Sequence, residues 1–246
     1  MSRPLDVACI VPVYNEAGVL EAAVRQLHQA LADQLAGQEF KIIIAANGST
    51  DNTNAIGRRL ERGLGPVVEL AVCRSKGRGM ALRETISRFH STHYLYIDVD
   101  LPCDLTDLPR VLAPLSEGAD VVTSRRTGYR PALRRAMTWG LRHLNRLMFG
   151  VRISDSQCAI KALSPAGARV LLDDCQQNGW FLDTELVVLA ARRGLRVSEV
   201  PIHWIERRFP DRASKVRPWR DTVAAMTALR QIRRRRDEIP PGRHLM

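Results

Sequence analysis

The chain has no apolar run approaching the roughly 18 residues that a bilayer span needs, so no membrane-crossing helix is expected in its 246 residues. Its opening, Met-Ser-Arg-Pro-Leu-Asp, runs straight into a strand-like segment and is expected to leave no room for an export signal. Cysteine is sparse and odd in number. Cys9, Cys73, Cys103, Cys158 and Cys175 show neither the close pairs of a metal site nor an even disulfide framework. Reduced thiols in a cytoplasmic protein are therefore expected. Lysine is nearly missing: Lys41, Lys76, Lys161 and Lys215 are the only four among 37 basic residues. Acid is missing locally, because no Asp or Glu occurs from Val121 to Ser154, where eight arginines do (Arg125, Arg126, Arg130, Arg134, Arg135, Arg142, Arg146 and Arg152).

These gaps narrow the function. A net charge of +11 carried mostly by guanidinium groups suits phosphate, which the planar arginine fork matches in shape. A general preference for arginine would give the same total, so the distribution is more informative than the sum. Nucleic acid is not the expected partner: no recognition-helix motif is present, and carboxylates cluster where a polyanion would be repelled. A dinucleotide-binding turn is also a poor match, because Gly77-x-Gly79 lacks its third glycine and Leu82 stands in its place.

What is present reads as one α/β domain. Hydrophobic residues at 45% and charged residues at 26% describe a globular chain. Val7–Val13 is an almost continuous apolar run, as a parallel strand buried on both faces requires. Gly18–Leu35 has helical periodicity, Phe40–Ala46 is a second strand, and Asn47-Gly48-Ser49-Thr50-Asp51 is a turn leading into a helix over Asn52–Arg62. Val67–Val72 is a third strand, followed by the Gly-rich turn Lys76-Gly77-Arg78-Gly79 and a helix to Phe89. A fourth strand runs into Tyr94-Leu-Tyr-Ile-Asp98-Val-Asp100-Leu-Pro-Cys-Asp104. Strand and helix alternate as in a mostly parallel, doubly wound sheet. Ligands of such sheets bind beyond the carboxyl ends of the strands, where Tyr14, Glu16, Asn47, Asp51, Lys76, Asp98 and Asp100 all fall. In a strand the side chains at i and i+2 point the same way, so Asp98 and Asp100 are expected side by side, and two such carboxylates repel unless a cation or a shared proton holds them. A hard divalent metal that also grips a diphosphate is the natural occupant; a turn and helix cap is the purely structural alternative.

In order along the chain, Val11-Pro12-Val13-Tyr14-Asn15-Glu16, Asn47-Gly48-Ser49-Thr50-Asp51, Lys76-Gly77-x-Gly79 and Asp98-Val99-Asp100 resemble the family-2 glycosyltransferases of the GT-A fold. Ser124-Arg125, Asp155-Ser-Gln157-Cys-Ala-Ile-Lys161, Trp180-Phe-Leu-Asp183-Thr-Glu185-Leu186, Glu199-Val-Pro201 and Ser214-Lys215-Val216 are similar to dolichyl- or polyprenyl-phosphate sugar synthases, first the glucosyltransferase branch and then the mannose synthases. The resemblance implies a single GT-A, Rossmann-like domain over residues 1–217, with a basic C-terminal helix and tail over 218–246. It implies a nucleotide-sugar donor held by Pro12, Tyr14, Glu16, Asn47, Asp51, Lys76 and Asp98, and Mg2+ or Mn2+ on Asp98 and Asp100. Polyprenyl phosphate is the implied acceptor, met by Arg125, Arg134, Thr138, Arg207, Ser214 and Lys215. Asp100, Arg125 and Lys215 would carry the catalytic step. Gln157, Asp183 and Glu185 are implied to position the sugar; for Asp183 and Glu185, bracing the acceptor loop or buried helix capping are the alternatives. Three departures stand out. Asn47 replaces a usual aspartate, Leu101-Pro102 supplies no third metal ligand, and the loop before Ser214 is two residues longer, leaving Arg207 or Arg208 as the matching arginine.

A phosphomonoester acceptor is mostly dianionic at neutral pH, its second pKa being about 6, so it needs cations to aim it rather than a base. A hydroxyl acceptor on a soluble molecule or cell-wall glycan, served by the same donor site, is the runner-up. Over Ala132–Phe149, helical spacing gives one stripe of Leu133, Met137, Leu141, Leu144 and Met148. Arg134, Arg135, Arg142 and Arg146 lie opposite with Trp139 and Phe149. That pattern suits an interfacial helix on an anionic membrane surface, although a core helix is the plain alternative. Trp219–Glu238 reads as a helix ending in four arginines. A cytoplasmic enzyme peripheral at the inner face of the membrane is expected, either visiting it alone or pairing with a separate membrane protein.

Overall fold

The computed structural model describes residues 5–74, 76–129, 131–205 and 218–242. Four strands, β1 (Leu5–Val13), β2 (Phe40–Asn47), β3 (Val68–Cys73) and β4 (Ser91–Tyr96), alternate with α1 (Leu20–Gln34), α2 (Thr53–Leu64) and α3 (Arg78–Arg88). Then come α4 (Leu108–Ser116), β5 (Val121–Thr127), α5 (Ala132–Phe149), β6 (Lys161–Leu163) and α6 (Pro165–Arg169), which runs on as a π-helical turn at Val170–Asp174. α7 (Leu182–Arg192), β7 (Val197–His203) and α8 (Pro218–Glu238) complete the chain.

The strands form one seven-stranded sheet in the order β3-β2-β1-β4-β6-β5-β7. β1 pairs in parallel with β2 and β4, β2 with β3, and β5 with β7. Among the described strands only β6 runs backward, antiparallel to both β4 and β5. The sheet is thus mostly parallel, as the alternating pattern implied, but it carries a reversed strand of three residues. All the parallel strands therefore end on one rim, and β6 begins there, with Lys161 opposite Tyr96 and Thr123.

The alternation of side chains along a strand divides the interior in two. Val7, Cys9, Val11 and Val13 face a core closed by Leu20, Val24, Leu27 and Leu31 of α1 and by Leu108 and Val111 of α4. Ala8 and Ile10 face a second core with Leu82 and Ile86 of α3, Leu186 and Leu189 of α7, and Ile232 of α8. Pro12 is tolerated in a central strand for a local reason. Beyond Ile10, which pairs with Tyr96 and accepts from Ile97 N–H, β1 keeps only its β2 neighbour, so Pro12's missing N–H falls where no ladder bond is due.

α5 departs from the simple two-faced reading. Among its described side chains the buried one is Asn145, whose Nδ2 donates to Ser156 Oγ at 2.9 Å. Met137, Trp139, Leu144 and Leu147 are exposed, Leu147 at 83%. Phe149, expected on the outer face, is instead partly buried against the second core beneath the Arg236 guanidinium of α8, 5.8 Å from its ring centre. Among the described residues no helix is long and apolar enough to cross a membrane.

Candidate active site

The first three strand-end loops are laced together by hydrogen bonds. Asn15, in the left-handed region at φ 53°, accepts from Thr50 N–H through Oδ1 (2.8 Å) and donates its own N–H to Ser49 Oγ (3.0 Å). Glu16 N–H donates to Thr53 Oγ1 at 2.8 Å and Ala17 N–H to Asp51 Oδ2 at 3.2 Å. Asp51 also accepts from Thr53 N–H at 3.0 Å, opening α2. Local loss of solvation would push this exposed carboxyl up, but its bonds from the Thr53 hydroxyl and N–H and the Ala17 N–H outweigh that and hold it below the usual carboxylate range.

Asn47, at the end of β2, is only 4% exposed. Its Nδ2 donates to the Val13 carbonyl at 2.9 Å, and its Oδ1 accepts from Gly77 N–H at 3.2 Å, so one carboxamide ties the ends of β1 and β2 to the Gly-rich turn. Lys76 of that turn lies over the Tyr14 ring, Nζ 4.0 Å from its centre, an attraction between cation and ring face. Gly79 is required by close approach: a Cβ there would lie 2.3 Å from the Gln177 carbonyl oxygen.

Asp98 and Asp100 stand beyond β4, not on it. The strand ends at Tyr96, and Leu101 N–H closes a turn onto the Asp98 carbonyl at 3.0 Å. Leu101 takes φ 44° with its side chain almost fully buried, a left-handed conformation that costs a non-glycine residue about 1–3 kcal/mol and clusters at functional sites. The same-side argument from strand alternation therefore does not apply to the pair. Asp104 caps the next turn, accepting from Thr106 N–H at 3.0 Å. Two carboxylates of this kind suit a hard divalent ion. No group of three or more His, Cys, Asp or Glu is gathered as a metal cluster among the described residues.

Behind Asp98 lies a buried charge network that the sequence did not reveal. Arg78 NH1 bonds Asp183 Oδ2 at 2.7 Å, and its Nε reaches Asp98 Oδ1 at 3.3 Å. Tyr96 donates its hydroxyl to Asp183 Oδ1 at 2.7 Å, and the fully buried Lys161 Nζ lies 3.3 Å from the same oxygen. Burial alone would push Asp183 up, but Arg78 and Lys161 hold it below the usual range. Burial pushes Asp98 up, and Arg78 offsets this only in part. Asp183 is thus an ion-pair partner rather than a helix cap. Glu185, 1% exposed, accepts from Gln176 and Gln177 N–H at 2.9 and 2.7 Å, bracing the segment that packs on Gly79. The available signal for the network was an arginine inside a glycine-rich turn and a lysine in a chain with only four.

The expected acceptor residues are spread more widely. Arg125 is exposed near the end of β5, while its neighbour Arg126 turns the other way onto Asp155. Glu199 of β7 accepts from Ser154 and Asp155 N–H, both at 2.9 Å, and fixes the loop in which Gln157 is half-buried. Arg134 is exposed on α5, and Thr138 donates its hydroxyl to the Arg134 carbonyl at 3.0 Å. Arg207, Ser214 and Lys215 lie outside the described residues. Ile205, the last described residue before them, donates its N–H to the Pro102 carbonyl at 3.0 Å, two residues past Asp100.

Comparison with known proteins agrees with this geometry. The chain is 32% identical over 206 residues to Glycosyltransferase AglD of Haloferax volcanii, covering 81% of this chain and 33% of that protein. It is 23% identical over 222 residues to the dolichyl-phosphate beta-glucosyltransferase of Saccharomyces cerevisiae, covering 80% and 66%. The chain thus spans a third of one of these relatives and about two thirds of the other. Its fold matches the UDP complex of glucosyl-3-phosphoglycerate synthase from Mycobacterium tuberculosis at TM-score 0.66 and 20% identity, covering 96% of this chain and 81% of that one. The model of the family named Glycosyl transferase family 2 matches residues 8–160. With the strand-end loops, the aspartate turn and the GT-A sheet in place, the chain belongs to glycosyl transferase family 2.

Proposed function

We propose that the protein transfers one hexose from a nucleotide sugar to polyprenyl phosphate with inversion, UDP-glucose being favoured over GDP-mannose as donor. The observation that carries this reading is the convergence of four strand ends on one rim, with Asp98 and Asp100 at the fourth, beside a β5–α5 stretch rich in arginine and free of acid. The likeness to dolichyl-phosphate glucosyltransferases supports the choice of acceptor.

In this reading Tyr14, Glu16 and Asp51 form the walls for base and ribose, with Pro12 and Lys76 beside them. Asn47 Oδ1 keeps a second lone pair, beyond the one used by Gly77, for a base N–H. Asp98 and Asp100 would hold Mg2+ or Mn2+, which neutralises the charge on the departing diphosphate. An oxygen of the acceptor phosphate attacks the anomeric carbon as the bond to the diphosphate oxygen breaks, and the nucleoside diphosphate leaves with that electron pair. Arg125, Arg134 and Thr138, with Arg207, Ser214 and Lys215, would aim the phosphate, while Gln157 faces the sugar. Single displacement without a protein nucleophile inverts the anomeric centre. The exposed apolar and basic side chains of α5 would rest on an anionic membrane surface, placing the enzyme at the inner face, alone or beside a membrane partner.

The test supplies radiolabelled UDP-glucose or GDP-mannose, short-chain polyprenyl phosphate and Mg2+ or Mn2+, and follows label into the organic phase. Transfer that is abolished by Asp100→Ala is the expected result. Normal turnover by that variant overturns the metal assignment, and label on a soluble phosphorylated or hydroxyl acceptor instead replaces the lipid.

A further inference from the structure

We infer that Arg78 is a built-in counter-ion of the metal site, one that an arriving divalent ion must displace from Asp98. This rests on the reading of Asp98 and Asp100 as metal ligands. Arg78 is held asymmetrically. Its grip on Asp183 is short, NH1 to Oδ2 at 2.7 Å, while its reach to Asp98 is long, Nε to Oδ1 at 3.3 Å. The guanidinium lies 5.3 Å from the centre of the Tyr96 ring, and its NH2 is buried with no hydrogen-bond partner. The side chain is therefore anchored on Asp183 and only leans on Asp98.

The charges explain the arrangement. Arg78 and Lys161 balance Asp98 and Asp183, so the network is neutral as it stands. A divalent ion on Asp98 meets both a competitor for Oδ1 and the repulsion of a fixed cation. Metal alone should bind weakly. An ion that brings a diphosphate with it supplies negative charge for the released guanidinium, whose Nε and NH2 would then both be unspent. Arg78 thus couples metal entry to nucleotide entry and acts as a positioning residue for the order of binding.

The experiment measures binding of Mn2+ by electron paramagnetic resonance, with and without UDP, and needs no turnover. Arg78→Gln should tighten Mn2+ binding in the absence of UDP by at least about fivefold, because a nearby like charge is removed, and should shrink the gain that UDP brings. Asp183→Asn should act in the opposite direction, since Arg78 then has Asp98 as its remaining carboxylate partner. The double variant Arg78→Gln, Asp183→Asn keeps the buried charges balanced. It should tighten Mn2+ binding as the single Arg78 variant does, and it carries the test if either single variant fails to fold. Unchanged or weaker Mn2+ binding in a folded variant lacking Arg78 overturns the inference. If Asp98→Asn and Asp100→Asn leave Mn2+ binding intact, the metal site itself is misassigned, which is a separate failure.

Discussion

Arg126 and Asp155 form a two-pronged ion pair, Nε to Oδ2 at 2.6 Å and NH2 to Oδ1 at 2.7 Å, with the carboxylate side chain 4% exposed. The guanidinium also sits 5.0 Å from the centre of the Trp204 ring. One side chain thus joins β5, the loop before β6 and the segment after β7. Breaking a buried pair from one side leaves an uncompensated charge and costs about 3–5 kcal/mol. Asp155→Asn is isosteric, so its loss of stability in urea unfolding should approach the lower figure. Arg126→Lys should not rescue it, because an ammonium cannot make both contacts.

Two glycines should respond with opposite signs. Gly79→Ala places a methyl against the Gln177 carbonyl, which is backbone braced by Glu185. Overpacking of this kind costs about 1–3 kcal/mol, and here it should also weaken nucleotide binding. Gly140 is in the middle of α5 with open space around its Cβ position. Gly140→Ala should stabilise by about 0.5–1 kcal/mol, the usual gain in a helix interior. Denaturant midpoints of the two variants check both signs.

Asp51 gives the rim an acid dependence. Its folded-state carboxyl is held below the ordinary value by hydrogen bonds that favour the charged form. The stabilisation is therefore complete above the unfolded pKa of about 3.9 and is lost as pH falls through the lower folded value. Asp51→Asn should be less stable than the parent at pH 7, and the gap should narrow steadily below about pH 4. A gap that stays constant down to pH 2.5 would show that the charge of Asp51 contributes nothing.

The membrane reading of α5 can be separated into apolar and basic parts. Trp139 is 63% exposed and Leu147 83%, on a helix without acidic residues. Trp139→Asp with Leu147→Asp should remove flotation with liposomes of any charge. Arg142→Glu with Arg146→Glu should remove only the preference for anionic lipid, each basic residue near the surface contributing about 1 kcal/mol. Negligible flotation of the parent protein with both neutral and anionic liposomes would take the membrane out of the proposal.

The strand-end loops are legible in the sequence because each carries a local signal. An apolar run stops at Asn47-Gly48, at the glycines around Arg78, and shortly before Asp98, and parallel topology then gathers the ends without further information. The pair of Arg78 and Asp183 is not legible, since 105 positions separate them and neither local pattern implies the other. β6 is hidden by its length, as Lys161–Leu163 is too short to show any period. The stripe on α5 misleads for a related reason. The helix meets the domain through the amide of Asn145 and the ring of Phe149, so Met137 and Leu144 stay partly outside although their spacing is that of a core face. Where Asp98 and Asp100 sit was readable. That they occupy a turn was not, because the residues up to Ile97 remain apolar and buried beyond the last ladder pair.

Asn47 spends both ends of a single carboxamide on the backbone of two other loops, Val13 on one side and Gly77 on the other. The rim therefore has a keystone, and the three loops cannot open one at a time without breaking it. Their amides should exchange with solvent in one cooperative event rather than in three. A ligand seated on any one of them would quiet all three together, so the proposed donor pocket would answer to a nucleotide as a single body.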